Sequence, residues 1–200
     1  MLKKGTISRV GCFYLKTPEY KDDVIRAIGE FFKDSIYKQT RASLLFRTPQ
    51  EEEFFNEWFL YDFRFSDNKG MLEKYYYENP ENLPEYRRAI YKDLMENYFG
   101  LYEVLEIRPF TGLKIKRLED SKVFDVYEMS LTTQVEVGDL FFGRVASVGD
   151  RYELVGSDSM SFKLSTLPEQ QRIIYTKKFS KFKNMTPTDA LNIIRNPMDI

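Results

Sequence analysis

Tyr98-Phe99-Gly100-Leu101-Tyr102-Glu103-Val104-Leu105-Glu106-Ile107-Arg108 separates two textures in the chain. On its N-terminal side Tyr86, Ile90, Leu94 and Tyr98 recur every four residues after Pro84, and Gly100 supplies a C-cap, so a helix is expected over about 84–98. On its C-terminal side β-branched and aromatic residues come in short runs at 101–108, 113–118, 122–129, 139–147 and 151–156. Glu119-Asp120-Ser121 and Gly149-Asp150 read as hairpin turns between them. Five short strands over about 55 residues predict a small, antiparallel, barrel-like β module over 101–156.

Toward the N-terminus the pattern is helical. Thr17-Pro18 and Thr48-Pro49 each precede an amphipathic run, and threonine as N-cap with proline at the first helical position is a start signal. Glu51 completes a capping box with Thr48. The first helix, about 18–37, carries Val24, Ile28, Phe31 and Phe32 on one stripe. The second, about 49–64, carries Phe54, Phe55, Trp58 and Phe59. Ser66-Asp67-Asn68-Lys69-Gly70 reads as a loop, and Met71 to Glu78 as a short helix before Asn79-Pro80. Residues 6–15 are expected to form a strand interrupted by Gly11.

Toward the C-terminus, Thr166 with Glu169 and Thr186-Pro187 mark further helix starts. Ile173, Ile174, Phe179 and Phe182 fall in one segment, Ala190, Leu191, Ile193 and Ile194 in the next, with Asn196-Pro197 as the stop. The expected fold is therefore α+β: a mainly helical part (1–100) packed on an antiparallel five-stranded, barrel-like β module (101–156), with a helical C-terminal extension (157–200), together one compact unit.

Composition narrows the chemistry. The 200 residues are 42% hydrophobic with 17 Phe and 14 Tyr, enough to bury a core. The 30 Lys+Arg balance 31 Asp+Glu, so binding to nucleic acid would need a local patch. The longest apolar runs, such as Leu44-Leu45-Phe46, fall far short of the ~20 residues that span a bilayer. Met1-Leu2-Lys3-Lys4-Gly5 has no apolar stretch behind it that reads as a secretory signal, so the cytoplasm is the expected location. The chain has no histidine, which removes Ser-His-Asp and Cys-His catalysis within it. Cys12, the single cysteine, lies between apolar residues and is expected to be a buried small hydrophobe. No acidic spacing marks a metal site, and no cofactor is expected.

Three constellations remain. Asp62, one turn beyond Trp58 on the same face, with Arg64 close by, reads as a polar pair: a ligand-binding or catalytic acid, or a structural salt bridge. Gly138-Asp139 precedes a strand on which Leu140, Phe142 and Arg144 face one way and Phe141, Gly143 and Val145 the other. That strand reads either as ligand-facing or as bent at Gly143. Lys177, Lys178, Lys181 and Lys183 interleave with Phe179 and Phe182, as in single-strand nucleic-acid binders, or as an ordinary amphipathic helix. Lys114, Lys116 and Arg117 extend that patch if the tail folds beside their strand.

At Trp58-Phe59-Leu60-Tyr61-Asp62-Phe63-Arg64, Leu101 to Ile107, Gly112-Leu113 and Val137-Gly138-Asp139-Leu140, the chain resembles a group of uncharacterised bacterial proteins. In these a helix with a Trp-x-x-Tyr-Asp-x-Arg-like motif leads into a compact β module with a Gly-Asp-Leu turn. The resemblance spans about 54–156 and implies an architecture without a reaction. Some of that group carry a cysteine-rich zinc motif of the SEC-C kind, and this chain does not. With the usual nucleophile–base sets missing, the expected function is a non-catalytic intracellular binding or accessory protein, its partner another protein. The alternatives are nucleic-acid binding through the basic helix and a carboxylate-dependent hydrolase using Asp62.

Overall fold

A computed structural model describes residues 5–33, 48–156, 161–181 and 183–195. Over these the protein is α+β, and the chain divides into two compact units, Leu2–Met95 and Glu96–Ile200. Residues 34–37 of the first expected helix, Leu44-Leu45-Phe46, Phe182 and the Asn196-Pro197 stop lie outside the described residues.

The first unit contains α1 (Thr6–Lys16), α2 (Lys21–Phe32), α3 (Pro49–Tyr61), α4 (Met71–Glu78) and α5 (Glu85–Asp93). The strand expected at 6–15 is a helix. Val10 and Tyr14, four apart, are its buried positions, and Gly11 faces open space rather than a partner strand. Its neighbour Cys12 is exposed, not buried. Thr48 caps α3 as expected, accepting a hydrogen bond from the Glu51 N–H at 3.2 Å. Aromatic rings fill the interior. Phe31 of α2 meets Phe55 and Trp58 of α3 at 5.6 and 5.3 Å between centroids, and Tyr14 of α1 meets Tyr20 and Phe65 at 4.7 and 5.0 Å. Such pairs add about 0.5–1.5 kcal/mol each beyond their area.

The helix expected at 84–98 is shorter, because residues from Asn97 onward join a strand. Gly100 lies inside that strand opposite Gly143 and is not a helix cap. The second unit contains β1 (Asn97–Arg108), β2 (Gly112–Arg117), β3 (Val123–Tyr127), β4 (Leu140–Val148), β5 (Arg151–Gly156), β6 (Ser161–Phe162), α6 (Glu169–Phe179) and α7 (Pro187–Arg195). The strands run in the order β1-β2-β3-β5-β4, and β4 pairs back onto β1, so the hydrogen bonding closes on itself. β1 is long enough to serve two neighbours. Its first half pairs with β4 and its second with β2, and the register breaks between Val104 and Glu106.

The expected all-antiparallel arrangement is incorrect: β3 and β5 are parallel, through Val126↔Tyr152 and Tyr127↔Glu153. Parity requires it. Strands that alternate in direction around a closed ring must be even in number, and a ring of five leaves one parallel pair. Tyr102, Val104, Leu113, Ile115, Phe124, Val126, Phe141 and Val145 fill the interior. Inside that ring Gly143 leaves room for the Phe141 ring, whose nearest atom is 2.9 Å from where a Cβ would sit.

Gly112 is the tightest point of the ring, since an added Cβ would fall 2.3 Å from the Val126 carbonyl oxygen on β3. Gly112→Ala is expected to destabilise the second unit by about 1–3 kcal/mol, as overpacking does. Gly11→Ala in open space on α1 should leave stability unchanged or raise it by up to ~1 kcal/mol. Chemical unfolding followed by amide exchange in each unit checks both, and equal effects of the two substitutions would refute the ring geometry at Gly112.

Candidate functional site

The Gly138-Asp139 turn is where the second unit is tied together. Gly138 adopts a left-handed conformation (φ +91°) that disfavours any side chain. On either side of its peptide the chain pairs with the β1 irregularity: the Gly138 N–H donates to the Val104 carbonyl at 2.8 Å, and the Val104 N–H to the Asp139 carbonyl at 2.9 Å. The Asp139 side chain is 0% exposed. Its carboxylate accepts from the Glu136 N–H at 2.9 Å, the Ser165 N–H at 3.0 Å and the Lys163 ammonium at 3.1 Å. Lys163 also donates to the Gln134 carbonyl. Burial by itself would push the carboxyl upward, but the bonds from Ser165, Glu136 and Lys163 outweigh it and hold it below the usual carboxylate range.

Asp139 is thus a scaffold group and not a ligand-facing one. Arg144 is likewise turned into protein: it is 2% exposed, bonded to the Asn97 side-chain oxygen, with its guanidinium 5.2 Å from the centre of the Phe99 ring. Of the Gly138, Asp139 and Arg144 set, only Gly138 lines an opening.

That opening is a groove of about 540 Å³ lined by Glu103 of β1, Lys116 of β2, Gly138 and one side of α6. The helix contributes Glu169, Arg172, Ile173, Thr176, Lys177 and Ser180, a stripe at i, i+3, i+4, i+7, i+8 and i+11 that marks one helical face. A core-packed helix would carry apolar residues there, whereas this stripe has one. α6 is instead anchored by Phe179, whose ring meets Phe162 at 5.3 Å, and Phe162 meets Phe142 at 5.7 Å. Ile173 and Ile174 are 59% and 62% exposed.

The strand-side cation of the groove is neutralised, with Lys116 Nζ 2.5 Å from Glu103. The helix cations are not: neither Arg172 nor Lys177 has an ion-pair partner among the described residues, and the Arg172 Nε is buried without an acceptor. The sequence reading missed Arg172, because it weighed only the Lys-Phe run. The polar stripe at helical spacing was the available signal.

The four lysines of that run separate. Lys177 lines the groove with Lys116, while Lys178 and Lys181 are exposed outside its lining. Lys183 donates to the Glu119 carbonyl, next to an Asn184 N–H bond of 2.9 Å to the Glu119 carboxylate, and so anchors the tail to the β2–β3 turn. Asp62 does not sit in the interior of the first unit. It is the exposed C-cap of α3, and the buried positions beyond it are Phe63 and Phe65. Arg64 reaches Glu73 at 3.6 Å, and its carbonyl accepts from Arg26 at 2.6 Å. Among the described residues no group of His, Cys, Asp or Glu could hold a metal ion. The chain matches no family model, no curated protein and no solved structure.

A carboxyl held low in the folded state stabilises the fold above its unfolded value, and that contribution is lost as pH falls through the folded value. Asp139→Asn is expected to cost about 3 kcal/mol, the loss of one partner from a buried charged set. It should also flatten the acid limb of the stability–pH profile below the ordinary carboxylate value of 3.8. Unfolding midpoints measured at neutral and acid pH read both effects, and an Asn variant as stable as the parent would remove Asp139 from its scaffold role.

Proposed function

We propose that this protein is a non-catalytic binding module that holds a segment of a protein partner in the groove between α6 and the outer side of β1 and β2. The observation that carries this reading is α6 itself, a helix that turns a polar stripe with unpaired cations toward a strand surface instead of packing its side chains there. On the same reading the closed ring is a small Greek-key barrel of the OB kind, a scaffold on which ligands settle along strand faces and loops. Architecture alone assigns no ligand. The likeness to the uncharacterised bacterial group and a cytoplasmic setting are consistent parts of the proposal. No helix among the described residues is long and apolar enough to cross a membrane.

Single-stranded nucleic acid is the second reading, favoured by Lys116 and Lys177 lining one groove. Two features weigh against it. Among the described residues the groove lining contains no aromatic ring on which a base could stack. Two strand cations are also taken, Arg108 by Asp125 and Arg117 by Asp120. A carboxylate hydrolase has least support, since Asp62 is an exposed helix cap and the buried Asp139 is saturated with donors.

A photoreactive residue placed at Ile173 is expected to cross-link one discrete protein in cells of the source organism, and the same residue at exposed Lys181 is not. Adducts made of nucleic acid, with binding that falls steeply with salt, would transfer the assignment to the second reading. The absence of any adduct specific to position 173 would reject the groove.

A further inference from the structure

We infer that the groove recognises an acidic segment in extended conformation, with two carboxylates spaced two residues apart, one on Arg172 and one on Lys177. The inference rests on the proposed use of the groove and adds the chemistry of its occupant.

The argument begins with which charges are spent. Lys116 is neutralised by Glu103, so the strand wall offers no net attraction. Arg172 and Lys177 are the lining cations without a partner among the described residues, and the buried Arg172 Nε lacks an acceptor. A guanidinium with a desolvated, unused N–H is matched best by a carboxylate, which takes two parallel bonds from it. Glu169 opposes this at the N-terminal end of the stripe, so the occupant runs from Arg172 toward the C-terminal end of α6, past Lys177 and Ser180.

Spacing then sets the occupant's conformation. Arg172 and Lys177 are five residues apart, about 7.5 Å along the helix axis and about 140° around it, so they border the groove from the two edges of the stripe. In an extended peptide, side chains on one face recur every second residue, about 6.8 Å apart. The axial separation matches that repeat, and the long Arg172 and Lys177 side chains reach in from either edge, so acids at alternate positions of an extended chain between them meet both cations. Ile173, exposed and next to Arg172 on the same stripe, provides an apolar contact for an aliphatic side chain beside the carboxylates.

Fluorescence anisotropy of the full chain with a labelled nonapeptide centred on Glu-Leu-Glu tests this, against Gln-Leu-Gln and Glu-Leu-Leu-Glu controls and a twelve-nucleotide oligothymidylate. Binding of Glu-Leu-Glu above both peptide controls is expected. Arg172→Gln and Lys177→Gln should each weaken it about tenfold or more, the scale of one charge-assisted bond. Lys178→Gln, outside the groove, should not. Amide shifts of 172–177 in the same titration show where each probe sits. If the oligothymidylate moves those amides and the peptides do not, the groove stands and the acidic-peptide assignment falls. Equal binding of the Gln control, or indifference to Arg172→Gln, also overturns it. If no probe moves those amides, both this inference and the proposed use of the groove fail.

Discussion

The arrangement of the second unit depends on one buried carboxylate. Asp139 lies where the connection from β3 enters β4, and it gathers donors from Glu136, Lys163 and Ser165, on both sides of it in sequence. A charge with no exposure is tolerable only when its lone pairs are occupied, so loss of any one donor leaves the others around an under-satisfied ion. This couples segments that have little else in common: the 134–139 turn, the irregularity in β1 and the short turn at Leu164–Thr166 that precedes α6. The helix therefore leaves a fixed point. Its direction past β1 and β2 is set before any of its own side chains make a contact.

That economy explains how a groove persists beneath α6. A helix that had to find its place by burying an apolar stripe would close onto the strands. α6 is held at its two ends, by the Asp139 turn before it and by the Phe179–Phe162 contact at its last residue. Its middle carries Thr176 and Lys177 toward the strands at little cost, because polar side chains in an open groove keep their water, while Arg172 beside them loses the hydration of its Nε. The stability of the unit is thus supplied by the ring interior, and the helix stripe contributes little to it.

Much of the β unit was legible because its signals are local. The strand runs beginning at 101, 113, 122, 139 and 151, the Gly149-Asp150 turn and the face alternation along β4 all follow from residue pattern within a few positions. The Thr48 cap is of the same kind. What failed needed partners. Tyr98 continues a four-residue period from Tyr86, yet backbone pairing with β4 claims everything from Asn97, and a ladder of hydrogen bonds overrides a weak helical propensity. Residues 6–15 alternate well enough for a strand, but with no neighbouring strand they bury Val10 and Tyr14 as a helix. Asp62 looked interior because helical spacing was continued one turn beyond the helix end at Tyr61. That one pair of a closed five-stranded ring must be parallel follows from the count of strands alone, but that it is β3–β5 needs the ring order. At the candidate site, Lys116 and Lys177 were linked only by the condition that the tail folds beside β2. The deciding feature, which cations are already paired, is a property of three-dimensional neighbours.

That last property also shows why a net charge near zero says little about recognition here. On the strand side Lys116 pairs with Glu103, Arg117 with Asp120 and Arg108 with Asp125. Exposed pairs of this kind contribute little to stability, with a median below about 1 kcal/mol. They do cancel one another's local field, and so they weaken the pull of these groups on polyanions. Against such a neutral wall, two unpaired cations on one helix face define a direction and a spacing. A diffuse basic patch would attract any polyanion and would depend on total charge. On the proposed reading, a pair of cations about 7.5 Å apart along a helix axis, beside an exposed isoleucine and with an acid at one end, would discriminate by the position of the ligand's charges, and the balance of 30 basic against 31 acidic residues is compatible with it.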